Sequence, residues 1–187
     1  LSAPQAAMRS GIGLVARDRV VESIAPSLTI RENAFLNPEA TGRGLFDFKS
    51  ASEEGREAEA LGSRLGLAPN DPTLAIEALS GGNQQKVVVG RWLSMKRRLL
   101  IAEDPTAGVD VGAKADIYAL LFDALKSGMG VLVVSTDFEE VATICHRALV
   151  FSRGSIVADL SGVALSTESL IQAASAGETP LAAAGAD

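Results

Sequence analysis

The chain has 187 residues, 47% apolar and 21% charged, with a formal net charge of −6 and a pI of about 4.9. That mixture suits one ordinary domain with a core, or a domain plus a small lobe, and excludes a disordered chain. No basic stripe interleaved with aromatics calls for nucleic acid, no apolar run approaches the ~18 residues of a membrane span, and the single cysteine, Cys145, excludes an internal disulfide and fits a reducing compartment. No secretory leader is visible. The chain opens on Leu1 rather than Met, so an incomplete N-terminus is expected, with the cytoplasm as default location.

In chain order, residues 1–26 hold a short apolar strand, Ile12–Val15, followed by charge. Residues 27–82 form a mixed, helical stretch. A helix starts near Ser27–Thr29, a glycine-rich turn follows at Thr41–Gly44, and a charged helix runs over Ser52–Leu65 to Gly66. Asn70-Asp71-Pro72 is a turn. Residues 83–165 alternate helix and strand. A helix over Asn83–Met95 places Val87, Val88, Trp92 and Leu93 on one face. Leu99–Ala102 is a continuous apolar run, expected to be buried on both faces.

A helix over Val111–Ser127 follows, capped by Asp110 and striped with Ile117, Leu120, Leu121, Ala124 and Leu125. Gly128 and Gly130 end it, and Val131–Val134 is expected as a further buried strand. A short helix, Phe138–Cys145, leads to strands Ala148–Phe151 and Ser155–Leu160, joined at Arg153-Gly154. Residues 166–187 close the chain with a helix over Ser166–Ala176 and a frayed tail. Alternation with short connections implies an α/β fold with a mostly parallel sheet and a helical subdomain. Lys96-Arg97-Arg98 is expected as a solvated turn.

Three stretches carry chemistry. Ser80-Gly81-Gly82 opens directly into a helix, whose first backbone N–H groups and partial positive charge suit an anion such as phosphate; a plain helix cap and turn would use the same residues. In "LLIAEDPTAGVD", Leu99–Asp110, an apolar strand runs into Glu103 and Asp104. Acids at the carboxyl end of a parallel strand can hold Mg²⁺ and orient water on a phosphate, or they are two solvated acids in a turn. Ser135-Thr136-Asp137 ends another strand and is also a good helix start. His146, the only histidine, has no further ligands spaced around it for a metal site. A phosphate-cradling G-x-x-x-x-G-K-[ST] loop is absent from all 187 residues.

Together these stretches resemble the ABC-type ATPases. "LSGGNQQK" is similar to their signature, "LLIAEDPTAGVD" to their Walker B strand and D-loop, and "VVSTD" lies where their switch histidine is found. "LSGGNQQKVVVGRWL", "DPTAGVDVGAKADIY" and "GVLVVSTDFEEV", with "GIGLVARDR" and "SLTIREN" upstream, resemble the second nucleotide-binding domain of simple-sugar importers over roughly residues 1–165. The resemblance implies a partial P-loop NTPase-like α/β domain lacking its N-terminal Walker A portion. It implies ATP and Mg²⁺ as cofactors, with the tentative metal role on Glu103 and catalytic roles on Glu103, Asp104 and Thr136. Ser80, Gly81, Gly82, Asn83 and Gln84 would serve a nucleotide held by a second nucleotide-binding domain, in the same polypeptide or a dimer. Ala107, Gly108, Val109 and Asp110 would communicate across that pair, and Arg17 stands at the Q-loop position.

The implied partners are membrane permease subunits and, indirectly, a sugar-binding protein, with no nucleic acid. The implied location is peripheral, on the cytoplasmic side of the inner or plasma membrane. The alternatives are a non-catalytic truncated or regulatory module of this fold, or an importer for nucleosides or another small solute.

The chain departs from the family pattern in three places. Glu103-Asp104 exchanges the usual Asp-Glu, changing each reach by about one C–C bond, ~1.5 Å. Because misplacement by ~1 Å can cost ~100-fold in rate, poor hydrolysis at the chain's own site is expected. Thr136 replaces the switch histidine, and Arg17 in "VARDR" replaces the acid of "VPED". An exposed edge and apolar sheet face are expected where N-terminal strands would lie.

Overall fold

The computed structural model describes residues 3–36, 50–95 and 97–176; the turn expected at Thr41–Gly44, Lys96 and the tail from Gly177 lie outside them. The chain divides into two compact units, residues 1–134 and 135–187.

In the first unit, α1 (Pro4–Arg9) precedes β1 (Ile12–Val15), and a five-residue π-helical turn occupies Arg19–Ser23. Then come α2 (Ile30–Ala34), α3 (Ala51–Leu65), a 3₁₀ turn at Ile76–Ala78, α4 (Gly81–Ser94), β2 (Leu99–Glu103), α5 (Val111–Lys126) and β3 (Gly130–Val134). Local chemistry explains the helix starts. Thr29 and Glu32 form a capping box on α2, and Ser50 and Glu53 form one on α3. Asp110 caps α5 by accepting from Ala113 N–H at 3.0 Å. The helix α3 ends at Gly66, whose φ of 60° suits glycine.

The sheet is three-stranded and parallel in the order β1-β2-β3, with Val15 beside Ala102 and Glu103 beside Val134. β2 was expected to be buried on both faces and β3 to be a further buried strand, and the sheet is covered on one face only. Val15, Leu100 and Ala102 are buried, whereas Leu14, Leu132 and Val134 on the other face are 44%, 51% and 52% exposed. The helices α4 and α5 pack against one face, so an apolar run here does not imply two covered faces. The expected open apolar face is present.

The helix α4 corrects a second expectation. It packs on α2, α3, α5 and β1, and is buried all round rather than along one stripe. Val87, Val88, Val89 and Trp92 are buried, but so are Gln85, Lys86 and Arg91. Each of these three side chains has a backbone partner, although Arg91 Nη2 is buried without one. Gln85 Nε2 donates to Pro105 O at 2.8 Å. Lys86 Nζ reaches Gly66 O at 3.2 Å, at the end of α3, and Asp116 of α5 at 2.6 Å. Arg91 donates through Nε to Asn33 O at 2.7 Å and through Nη1 to Ser23 O at 2.8 Å. Burial pushes its guanidinium down to about 10, so it stays charged at neutral pH.

In the second unit, α6 (Phe138–Ile144) leads to an antiparallel hairpin, β4 (Arg147–Ser152) and β5 (Ser155–Ser161), turned at Arg153-Gly154. A 3₁₀ turn and α7 (Thr167–Ala176) follow. Ala148, Val150 and Leu170 form its core, with Phe138, Val141 and Leu160 packed against them.

Candidate functional site

The site is built around the first turn of α4. Ser80 precedes the helix in extended backbone, and its Oγ accepts from Asn83 N–H at 3.4 Å. Ser80 is exposed and Gly81 half-buried. The first turn of this 14-residue helix carries no acidic residue of its own, leaving its partial positive charge without an acid from the same helix. Asn83 and Gln84 bond the protein itself. Asn83 Nδ2 donates to Ala68 O at 2.9 Å and to Ser80 Oγ at 3.2 Å. Gln84 Nε2 donates to Ile76 O at 3.3 Å and Leu79 O at 3.1 Å. These bonds shape the turn that presents Ser80 and Gly81.

The two glycines do different things. A Cβ placed on Gly82 would fall 2.5 Å from the Cβ of Ala113 in α5 and 3.4 Å from Val109 Cγ1. Real contacts of that kind do not occur, so Gly82 allows α4 to abut the start of α5. A Cβ on Gly81 would meet only the end of a flexible side chain, Arg19 Nη2, at 2.5 Å, before reaching Gly108 O at 3.4 Å.

Arg19 is the residue that sequence reasoning missed. Its Nε donates to Gln84 Oε1 at 3.4 Å and its Nη1 to Ala107 O at 3.1 Å. One guanidinium therefore links the segment after β1, the start of α4 and the turn after β2. That turn, Ala107–Asp110, includes Gly108 at φ +66° and closes with Asp110 on α5. The first unit thus brings Ser80–Gln84, Ala107–Asp110 and Arg19 together. A cation beside a helix N-terminus has donor chemistry that suits a phosphate, although the Asp110 carboxylate also lies close, its Oδ2 3.5 Å from where a Gly82 Cβ would stand.

The acids lie at the end of β2. Glu103 is its last residue, paired beside Val134. Asp104 follows at φ +40° and forms an ion pair with Arg17, Oδ2 to Nε at 3.1 Å. Aspartate tolerates the left-handed region better than glutamate, because its short side chain bonds locally; the order Glu103-Asp104 matches that backbone. The resemblance puts Mg²⁺ on Glu103; the neighbouring Asp104 already carries a guanidinium, and the described residues contain no cluster of three or more metal-capable side chains, so this chain's side chains alone do not build a metal site.

Thr136 belongs to the second unit and is exposed, just before Asp137. Asp137 caps α6 by accepting from Glu139 and Glu140 N–H, both at 3.1 Å, so Ser-Thr-Asp does serve as a helix start. Ser135 Oγ donates to buried Glu140 Oε2 at 2.7 Å. Burial, and then the Glu140 charge, push the Cys145 thiol up.

Comparison with known proteins identifies relatives. The sequence profile of the ABC transporter family matches residues 3–107. The ribose import ATP-binding protein of Burkholderia mallei is 39% identical over 165 residues, which is 88% of this chain and 33% of that protein. The arabinose import ATP-binding protein of Chromohalobacter salexigens is 38% identical over 156 residues, 83% of this chain and 31% of that one. A putative ribose/galactose/methyl galactoside import ATP-binding protein of Rhizobium meliloti is 40% identical over 161 residues, 86% and 32% respectively. The chain spans about a third of the length of these curated relatives.

Among solved structures, a dimeric bacterial ABC transporter cassette matches with a TM-score of 0.68 at 25% identity, over 84% of this chain and 65% of that one. A nucleotide-free ATP-binding cassette from an ABC transporter matches with a TM-score of 0.68 at 19% identity, over 94% and 68%, a likeness of fold alone.

Proposed function

Since the chain belongs to the ABC transporter family, we propose that it is part of the ATP-binding, energy-coupling component of a simple-sugar importer, and that Ser80–Gln84 serve a nucleotide held by a second nucleotide-binding domain. The observation that carries this reading is the start of α4. It presents an exposed hydroxyl, the helix-start amides and the Arg19 guanidinium in one place, while the 187 residues contain no phosphate-cradling loop. The relatives named for ribose, arabinose and galactose import support the substrate class.

When bound, ATP supplies the phosphate charge that draws the two domains together. The chain's own residues then have defined tasks. Ser80 Oγ and the first amides of α4 donate hydrogen bonds, Asn83 and Gln84 hold the turn in shape, and Arg19 adds positive charge and ties the turn to Ala107. Ala107–Asp110, braced by Gln85 on Pro105 O, relays closure across the pair. The partners in this reading are a second nucleotide-binding domain, membrane permease subunits and, through them, a sugar-binding protein. The location is peripheral, at the cytoplasmic side of the membrane; no described helix is long and apolar enough to cross it.

The Arg17–Asp104 pair favours a division of labour, in which this chain assists hydrolysis at the partner's site while its own strand-end acids do not fire. The test is ATP-dependent association with a phosphate-loop-bearing domain of a sugar importer, followed by gel filtration. Ser80→Arg, which fills the exposed start of α4 without touching the core, is expected to abolish association. Unchanged association would refute the assignment.

A further inference from the structure

Ser80 Oγ accepts two hydrogen bonds, both from Asn83. The backbone N–H of Asn83 donates to it at 3.4 Å and the side-chain Nδ2 at 3.2 Å. The same Nδ2 donates to Ala68 O at 2.9 Å. A backbone carbonyl can only accept, so the atom facing Ala68 is the amide nitrogen, and its second hydrogen is the one on Ser80. The far end of this link is itself held. Ala68 follows Leu67, which is buried and donates its N–H to Gly62 O at 3.0 Å, and Gly66, whose carbonyl accepts from Lys86 Nζ at 3.2 Å. Asn83 and Lys86, three positions apart on one face of α4, thus grip the Gly66–Ala68 segment together.

A serine hydroxyl has two acceptor lone pairs and one proton to donate. An ordinary helix cap engages one lone pair, with a backbone N–H, and leaves the hydroxyl free to turn. Here the Asn83 amide takes the second lone pair. Both lone pairs face the start of α4, so the proton points away from it. Among the described residues no group accepts that proton, and Ser80 is exposed. What the turn offers outward is therefore a donor, with its accepting side already occupied.

We propose that Asn83 is a positioning residue that makes the Ser80 hydroxyl an obligate donor, so that the turn receives an acceptor-only group such as a phosphate oxygen and turns away a ligand that would itself donate there. The inference rests on the reading that Ser80–Gln84 serve a nucleotide, and it narrows the part of Asn83 in that reading: the amide acts through Ser80 rather than on the nucleotide. A hydroxyl already aimed outward has little rotational freedom left to lose when the phosphate arrives.

Neutron diffraction from crystals of the deuterium-exchanged chain reads the proton's direction. The Ser80 deuteron is expected to point away from α4, with the two Asn83 Nδ2 deuterons on Ala68 O and Ser80 Oγ. A Ser80 deuteron aimed at a group of the same chain would overturn the proposal. The consequence for binding is read by a double-variant cycle in ATP-dependent association with a phosphate-loop-bearing domain of a sugar importer. Ser80→Ala is expected to weaken association ~10-fold or more, as loss of a hydrogen bond to a charged group should, and Asn83→Ala to weaken it severalfold. Added to Ser80→Ala, Asn83→Ala should change association by less than ~2-fold, because the group it positions is gone. A role in shaping the turn through Ala68 would persist in that background, so equal weakening by Asn83→Ala with and without the hydroxyl would overturn the proposal. Ser80→Ala without effect on association would instead refute the nucleotide reading, and this inference with it.

Discussion

Gly82→Ala gives the sharpest test of how the turn at the start of α4 is built. The added methyl would lie 2.5 Å from the Ala113 Cβ, over 1 Å inside the ~3.5–4.0 Å of a good carbon contact. Neither atom can rotate away, because both are Cβ atoms fixed to helix backbone. Overpacking of this kind costs about 1–3 kcal/mol, and the better helix propensity of alanine returns up to ~1 kcal/mol. The net expectation is a loss of about 1–2 kcal/mol, or roughly 2–8 °C in Tm for a chain of this size.

Ala113→Gly removes the opposing methyl, at its own cost of ~0.5–1 kcal/mol. The double variant should therefore be more stable than the two single losses sum to, by about 1–2 kcal/mol. Urea and thermal unfolding of the four proteins measure the cycle. Gly81→Ala is the contrast, since its one short contact is with the movable end of Arg19 and Gly108 O stands at 3.4 Å; it should change Tm far less. A Gly82→Ala protein as stable as the native one, with no coupling to Ala113→Gly, would refute the packing argument.

Asn33→Ala should cost about 2–4 kcal/mol by urea unfolding, because Asn33 is fully buried and its side chain serves Ala25 N–H and the carbonyls of Ala25, Leu28 and Thr29. Arg19→Ala should change stability by less than ~1 kcal/mol yet weaken ATP-dependent association several-fold, read by gel filtration. Cys145, whose thiol is pushed up by burial and Glu140, should react with iodoacetamide at pH 8 more slowly than free cysteine. Hydrogen bonds from Thr29, Thr73 and Arg147 hold the carboxyls of Glu32, Asp71 and Asp159 below their ordinary range. Their folded values lie below the unfolded ones, so this support is complete above the ordinary carboxylate range and is lost as pH falls through it. The urea midpoint should fall between pH 5 and pH 3, with a shallower slope in Asp159→Asn.

What was legible in the sequence was local. The capped start of α2, the charged helix ending at Gly66, Asp110 as a cap and the Arg153-Gly154 hairpin turn each depend on residues a few positions apart. The stretches Leu79–Lys86 and Leu99–Asp110 stood out as motifs that resemble the family's. Their meeting did not, because Arg19 reaches Gln84 and Ala107 across 65 and 88 positions. The pairing of Arg17 with Asp104 was hidden for the same reason, although each was visible as a departure from the family pattern. Polar residues misled the reading of α4. Lys86 and Arg91 look like a solvated face, but here they end on carbonyls of neighbouring segments. The apolar runs of β2 and β3 suggested two covered faces, a property of the layers around a sheet that no strand carries in its own residues.

The central claim is that this chain supplies the signature to a nucleotide held elsewhere. Calorimetric titration of the purified chain with Mg-ATP, with hydrolysis followed in the same sample, tests it most directly. The account predicts no binding below millimolar ATP and no turnover. Micromolar binding with turnover by this chain alone would contradict it, because the residues that cradle phosphate would then lie within these 187.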